Sequence, residues 1–145
     1  MKIRSDYVTN SSSSSFVIAY RTLPEFDKET LAKYPILKNY HHMIEQILHS
    51  EGDCETNAGT TFSTKEEWED YFKNERIYYN EKEDGDFETA LEDEGCDWLY
   101  HEGIKYLENG FKILDKSVGY GDCFLNNMLY ELANDKENFV ILEGD

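Results

Sequence analysis

The 145-residue sequence lacks the long apolar runs that membrane proteins need. Its apolar stretches, such as Phe16–Tyr20, are far short of the ~20 residues that cross a bilayer. No charged start followed by an apolar segment indicates a secretion signal. Cysteine is also scarce: three widely spaced residues favour free thiols in a reducing compartment over a disulfide framework. We therefore expect a cytoplasmic protein with no membrane contact.

Positive charge is the other scarce property. The chain carries 14 Lys+Arg against 31 Asp+Glu, which gives a net charge of −17. Residues 51–110 hold 19 of the acidic and 5 of the basic residues, a net charge of −14. Such a field repels phosphate backbones and argues against direct nucleic-acid binding. It attracts basic protein surfaces, although solubility alone is the simpler interpretation of the charge.

Aromatic residues, by contrast, are abundant. They make up 14% of the chain and supply enough apolar surface for a core. The length suits one acidic domain, residues 1–145. Apolar periodicity predicts an α/β (or α+β) fold, in which a small three-stranded or slightly larger sheet packs against about five helices. The predicted strands are Ser13–Tyr20, Phe111–Val118 and Phe139–Leu142.

The last third of the chain, residues 110–145, reads as strand, glycine turn, helix and strand. Between the two strands, apolar residues recur with the 3.6-residue period of a helix face: Phe124, Leu125, Met128, Leu129 and Leu132. A strand, a crossover helix and a second strand normally lie parallel in one sheet with a right-handed connection. We expect these two strands to be parallel neighbours, while the direction of the N-terminal strand stays open.

The middle of the chain is predicted to be mostly helical. Ser63-Thr64-Lys65-Glu66 fits a capping box, and the helix that it starts carries Trp68 and Tyr71 on one face. A later helix from about Asp97 to Glu108 is expected to turn Trp98 and Leu99 inward. Residues 51–61, polar and containing two glycines, are predicted to be a loop.

The acidic aromatic segment, residues 63–108, has two interpretations. Tyr78 and Tyr79 stand beside Glu75, Glu81, Glu83 and Asp84, and aromatic side chains among charges are common at interfaces. Such a surface would face a protein partner with a basic surface. The simpler interpretation is a solvated helix face whose tyrosines are buried in the core.

Five consecutive serines, Ser11 to Ser15, lead directly into the first predicted strand. The start M-K-I-R-S-D-Y-V-T-N-S-S-S-S-S-F is similar to a leader found on many uncharacterised bacterial and phage-associated proteins. The similarity covers about the first 20 residues and implies a bacterial or phage origin, but no reaction. The serines themselves are typical of a hydroxyl-rich strand or an ordered turn; a modification or processing signal is a further interpretation.

The candidate ligand site combines this tract with the turn Gly119–Asp122. Ligands of open α/β sheets gather beyond the carboxyl ends of strands, next to a helix N-terminus. The candidate ligand-binding residues are Ser11, Ser12, Ser13, Ser14, Ser15, Ser117, Tyr120 and Asp122. The competing interpretation is structural, because Asp122 is placed to cap its own helix.

No pattern in the sequence predicts a catalytic residue, a metal site or a cofactor. A nucleophilic serine needs an oriented base; the histidines are His41, His42, His49 and His101, and no G-x-S-x-G motif is present. The histidine spacings do not match zinc motifs. Residues 80–91 resemble a calcium loop, but Lys82 and Leu91 occupy ligand positions and contradict it.

Two functions therefore remain. The first is a small acidic, non-enzymatic binding or regulatory protein that acts on a protein partner, for example a phage-type inhibitor that presents carboxylates to a nucleic-acid-binding surface. The alternative is a small enzyme or ligand sensor whose site is formed by Ser11–Ser15 and Gly119–Asp122.

Overall fold

The computed structural model describes residues 13–22, 25–49, 59–119, 121, 123–133 and 137–144. Within these ranges lie four strands: β1 (Ser13–Tyr20), β2 (Thr60–Phe62), β3 (Lys112–Gly119) and β4 (Phe139–Glu143). The same ranges contain α1 (Lys28–Lys33), α2 (Tyr40–His49), α3 (Lys65–Tyr71), α4 (Glu81–Asp84), α5 (Phe87–Asp93), α6 (Asp97–Glu108) and α7 (Cys123–Leu132). A 3-10 turn spans Pro35–Asn39, and a π-helical turn spans Phe72–Arg76.

Strand β1 is one of the two interior strands of the sheet, the other being β3. It pairs antiparallel with β3 on one side and with β4 on the other, in the strand order β2-β3-β1-β4. Every residue from Phe16 to Tyr20 is buried. A strand that is covered by helices on both faces reads as a continuous apolar run rather than as an alternating one, which explains this stretch of sequence.

The prediction that the two C-terminal strands pair directly with each other is wrong. Both β3 and β4 run antiparallel to β1, so they are parallel to each other, but β1 lies between them and they do not pair. Helix α7 therefore connects two strands that flank β1. The β-α-β pattern predicts that the two strands run in the same direction, but it does not show whether another strand lies between them. The unbroken apolar run of β1 was the sequence feature that indicated an interior strand.

The sheet also has a strand that the sequence did not reveal. Strand β2 overlaps the end of residues 51–61, which were predicted to be a loop, and it pairs with β3, with Thr61 opposite Leu114. Only Phe62 of its three residues is buried. Three residues are too few to show an alternating pattern, which is why periodicity did not indicate it.

One face of the sheet is covered by the 3-10 turn and by helices α2 and α7, with α1 at the margin. Ile18 of β1 and Leu114 of β3 pack there against apolar side chains from these elements, and we call this set the first core. Its other buried members include Phe16, Tyr20, Leu37, Tyr40, Met43, Ile44, Ile47, Val118, Leu125, Met128, Leu129, Leu132 and Phe139. Burying one such aliphatic side chain contributes about 1.5–3 kcal/mol.

The opposite face is covered by α3, the π-helical turn, α5 and α6. Val17 and Ala19 of β1 pack there in what we call the second core, together with Phe62, Trp68, Phe72, Ile77, Ala90, Leu91, Cys96, Leu99, Tyr100, Phe111, Ile113 and Leu142. The fold is thus a helix–sheet–helix arrangement in three layers. Trp68 is fully buried, and its indole N–H donates to the carbonyl of Tyr100 at 3.1 Å.

Close packing against Trp68 explains why α6 contains a glycine at position 103. A Cβ atom at this position would lie 2.4 Å from Nε1 of Trp68. The missing side chain therefore lets α6 approach the indole closely, which offsets the poor helix propensity of glycine.

The described residues contain seven α-helices rather than about five. The capping box is shifted by one residue: Thr64, not Ser63, accepts from the backbone N–H of Glu67 at 3.1 Å. Helix α1 is capped by Asp27, which accepts from the backbone N–H of Thr30 at 2.7 Å. Among the described helices, none combines the length and the apolar character needed to span a bilayer.

Candidate functional site

The antiparallel register brings the serine tract against the end of β3. Ser13, Ser14 and Ser15 pair with Gly119, Val118 and Ser117 respectively, so the two stretches that were predicted to form one site are neighbours in the backbone. Ser11, Ser12, Tyr120 and Asp122 lie outside the described residues. Ligand binding by this set stays a prediction.

Ser15 and Ser117 share one face of the sheet. They are directly opposite across the β1–β3 pair, and alternation places them on the same side as Val17 and Asp115, the side of the second core. Ser15 is exposed and Ser117 is half-buried. Side chains opposite each other in an antiparallel pair have Cβ atoms about 4.5–5.5 Å apart. One ligand group could therefore reach both hydroxyls.

A polar cluster lies next to these serines on the same face. The Tyr71 hydroxyl donates to Oδ2 of Asp115 at 2.5 Å, and Nη2 of Arg76 donates to Oε1 of Glu143 at 2.5 Å. Asp115 and Glu143 both pair with Val17, one from each side. We call Tyr71, Arg76, Asp115 and Glu143 the Arg76 cluster.

Burial and charge set the protonation of this cluster. Burial raises the pKa of the Tyr71 phenol, and the Asp115 carboxylate raises it further, while Arg76 lowers it in part. Burial by itself lowers the pKa of Arg76, but the bond to Glu143 outweighs it and holds the pKa above its ordinary value. The phenol is therefore neutral and the guanidinium charged at physiological pH.

Arg76 has one donor that is unused. Its side chain is 7% exposed, and Nε is buried without a hydrogen-bond partner in the described structure. Leaving a buried donor unpaired costs about 1–3 kcal/mol. The residue ends the π-helical turn, an element that recurs at functional sites.

Sequence reasoning missed the Arg76 cluster. Its members come from α3, the π-helical turn, β3 and β4, and the closest two are five positions apart in the chain. Tyr71 was interpreted only as a core residue, and the register that puts Asp115 and Glu143 on either side of Val17 is not visible in periodicity. An arginine within an aromatic helix was the sole available signal.

A second buried cation, Lys116, does not belong to the cluster. It is 1% exposed and pairs with Phe16 across β1. Because side chains alternate along β3, Lys116 lies on the first-core face, opposite to Asp115. Lys116 has an interaction partner, so it is not an uncompensated buried charge.

The outer surface of helices α3 to α6, which we call the acidic helical layer, carries the excess negative charge. Its exposed carboxylates are Glu66, Glu67, Asp70, Glu75, Glu81, Glu83, Asp86, Glu88, Glu92, Asp93 and Glu108. Tyr78 is 60% exposed, whereas Tyr79 is half-buried and its hydroxyl donates to the carbonyl of Gly85. Of the two tyrosines that were proposed to face a partner, Tyr78 is the more accessible.

Trp98 is also exposed, contrary to the prediction that it turns inward. Its side chain is 59% exposed, while Leu99 and Tyr100, the next two residues of α6, are buried. Successive residues are about 100° apart on a helix, and the buried arc of α6 contains Leu99, Tyr100 and Gly103, so Trp98 lies outside it. Hydrophobicity alone does not distinguish Trp98 from Leu99.

A groove of about 350 Å³ separates α3 from α6 within this layer, lined by Lys65, Glu66, Glu69, Tyr100, His101 and Ile104. Burial, followed by the charge of Glu69, raises the pKa of Tyr100 to about 12. The His101 ring nitrogen Nε2 lies 2.8 Å from Oε1 of Glu88. His41, His42 and His49 are exposed, and no three metal-binding side chains converge within the described ranges.

No protein-family model matches the chain, and comparisons with curated proteins and with solved structures also found no match. Charge, exposure and contacts within the described residues are therefore the basis for assigning a function.

The raised pKa values of Tyr71 and Tyr100 predict alkaline instability. A tyrosine whose folded pKa exceeds its unfolded value of about 10 stabilises the fold fully below pH ~10 and loses that contribution as pH rises through the folded pKa. We expect the free energy of unfolding of Tyr71→Phe to fall less steeply between pH ~9 and ~11 than that of the wild type. Urea denaturation at each pH measures this.

The matched control is Tyr78→Phe, which removes a hydroxyl from an exposed tyrosine and should keep the wild-type slope. At pH ~7, Tyr71→Phe should lose about 1 kcal/mol because Asp115 loses a donor. An alkaline slope of Tyr71→Phe equal to that of the wild type would contradict the account of the cluster.

Proposed function

We propose that this protein is a non-enzymatic binding protein that docks the acidic helical layer onto a basic surface of a partner protein. The exposure of Trp98, at 59%, is the observation that carries the proposal. A large exposed aromatic side chain on a helix of the acidic helical layer is suited to be the anchor of such an interface.

The ion pairs of the layer support the electrostatic half of the proposal. Its lysines are largely engaged within the chain: Lys65 with Glu108 at 3.5 Å, Lys73 with Glu69 at 3.6 Å and Lys105 with Glu102 at 3.0 Å. The carboxylates left over give the outer surface its negative field. Complementary charge of this kind steers a basic partner and selects against acidic ones.

The surroundings of Trp98 support the anchoring half. His101 and Glu102 follow it by three and four positions on α6, so their side chains flank the indole on the helix surface. A lysine or arginine of the partner would stack on the indole. The groove between α3 and α6 begins at His101 and would accept a neighbouring side chain.

One specific version of this function is inhibition of a nucleic-acid-binding protein. Carboxylates spaced over a helical surface present the charge that a phosphate-binding surface recognises. The similarity of the N-terminal stretch to bacterial and phage-associated proteins fits an inhibitor of the phage type. The proposal does not require the serine tract.

The test compares the wild type with Trp98→Ala in two steps. Both proteins are used for affinity capture from a bacterial lysate at low salt, and proteins retained only by the wild type are identified and purified. Calorimetry then gives Kd for each purified partner. We expect a basic partner, a Kd that rises by about tenfold or more in Trp98→Ala, and a further loss of binding in ~1 M salt because screening shortens the Debye length to ~3 Å.

The matched control is Tyr130→Ala, which truncates an aromatic residue that is 48% exposed on α7, on the other side of the sheet. It should bind like the wild type. Binding that is indifferent to salt, a partner with an acidic surface, or equal affinities of Trp98→Ala and the wild type would each refute the proposal.

A second candidate function is that of a small enzyme or ligand sensor with its site at Ser11–Ser15 and Gly119–Asp122. The observation that favours it is the pairing of Ser15 with Ser117 on the same face as the unpartnered Nε of Arg76. The two serine hydroxyls can donate hydrogen bonds, and the charge of Arg76 on the same face suits a small phosphorylated or nucleotide-like ligand.

Thermal denaturation with a panel of nucleotides and sugar phosphates tests this second function. A ligand that binds at 100 times its Kd stabilises the fold by about 2.7 kcal/mol, so we expect Tm to rise by several degrees with one member of the panel. The rise should be lost in the double variant Ser15→Ala/Ser117→Ala. It should persist in Ser63→Ala, a control at an exposed serine. No shift with any ligand, or a shift that survives the double variant, rules this function out.

A further inference from the structure

A second groove follows a different face of α6, at the end of the sheet where β1 finishes and β3 begins. It has a volume of about 310 Å³, and its walls include Arg21, Tyr106, Phe111 and the charged residues Glu102, Lys105 and Glu137. Small-molecule sites are grooves of roughly 300–1,000 Å³ with an apolar wall and a few fixed polar groups. This groove has the size and the mixture of groups of such a site.

Arg21 is held in place from two directions. Its backbone N–H donates to the carbonyl of Asn138 at 2.9 Å, and its own carbonyl accepts from the Tyr40 hydroxyl at 2.7 Å. Its guanidinium carbon lies 4.4 Å from the centre of the Phe111 ring. A cation that is fixed before a ligand arrives loses little conformational entropy on binding.

The guanidinium of Arg21 stacks on a ring and pairs with no carboxylate among the described residues, unlike Arg76, which is bonded to Glu143. Phe111 is buried and meets Tyr106 edge-on, with ring centres 4.9 Å apart. The guanidinium of Arg21 therefore lies beside the aromatic rings of Phe111 and Tyr106. A planar guanidinium matches a carboxylate through two parallel hydrogen bonds.

The charges around the groove select the kind of anion. Lys105 is paired with Glu102 at 3.0 Å, which leaves Arg21 as the cation of the wall that pairs with no carboxylate in the described part of the chain. Glu137 is an exposed carboxylate at the rim. The four charges sum to zero in a protein whose net charge is −17. A phosphate dianion would meet repulsion from this field, whereas a single carboxylate needs one cation only.

We propose that this groove binds a small monocarboxylate, with its carboxylate on the guanidinium of Arg21 and its apolar body against Phe111 and Tyr106. The site adjoins the protein-docking surface around Trp98, because Glu102 belongs to both, but binding at Arg21 does not depend on docking there. The site is at the opposite end of β1 from Ser15.

The experiment is an NMR titration of the isotope-labelled protein with benzoate as the probe. Benzoate should shift the backbone amide signals of Arg21 and of residues 105–111. Benzamide, which has the same shape without the charge, and phenyl phosphate should each bind about tenfold or more weakly. Arg21→Gln should raise the Kd for benzoate by about tenfold, and Lys82→Gln, which removes one exposed positive charge in α4, should leave it unchanged.

A second variant keeps the test decisive if Arg21→Gln does not fold. Glu137→Gln removes the rim carboxylate from an exposed position and should tighten benzoate binding by about twofold to threefold, since one repulsive charge is lost. The proposal is overturned if benzoate leaves these amide signals unshifted, if benzamide or phenyl phosphate binds as well as benzoate, or if a folded Arg21→Gln keeps the wild-type Kd. An unchanged Kd in Glu137→Gln overturns it as well.

Discussion

The burial of β1 on both of its faces is the constraint on which the rest of the structure depends. Phe16 and Ile18 enter the first core, while Val17 and Ala19 enter the second. A shift of one residue in register would exchange these two sets. Phe16 and Ile18 would then face the second core, and Val17 and Ala19 would face the first, where their sizes do not fit the packing. The sequence of this strand therefore specifies a single register with β3 and with β4.

That register positions each polar site in the fold. At the start of β1 it sets Ser15 opposite Ser117 and places Asp115 and Glu143 beside the helices that carry Tyr71 and Arg76. At the other end it sets Arg21 over Phe111. The helices of the second face then carry the acidic surface and Trp98 outward. One central strand thus positions three surfaces of different chemistry.

Much of the fold could be predicted from local patterns. The apolar runs located β1, β3 and β4, and the helical period located the buried face of α7. Periodicity could not reveal β2, which has three residues, nor the insertion of β1 between β3 and β4, because strand order depends on contacts distant in sequence. The serine tract was expected near the end of β3 only under the alternative function, and the direction of β1 was left open. The Arg76 cluster was not expected, because contacts distant in sequence bring its members together. The exposure of Trp98 was missed because its hydrophobicity was given more weight than its angular position on α6.

Hydrogen exchange of the backbone amides tests the central position of β1 most directly. The amides of Ile18 and Ala19 belong to a strand that is paired on both sides, so they should exchange only through global unfolding, with a protection free energy equal to the free energy of unfolding from urea denaturation. The amides of the edge strand β2 should exchange through smaller openings. Exchange of Ile18 and Ala19 as fast as that of β2 would show that β1 is not the buried centre of the sheet and would contradict the account.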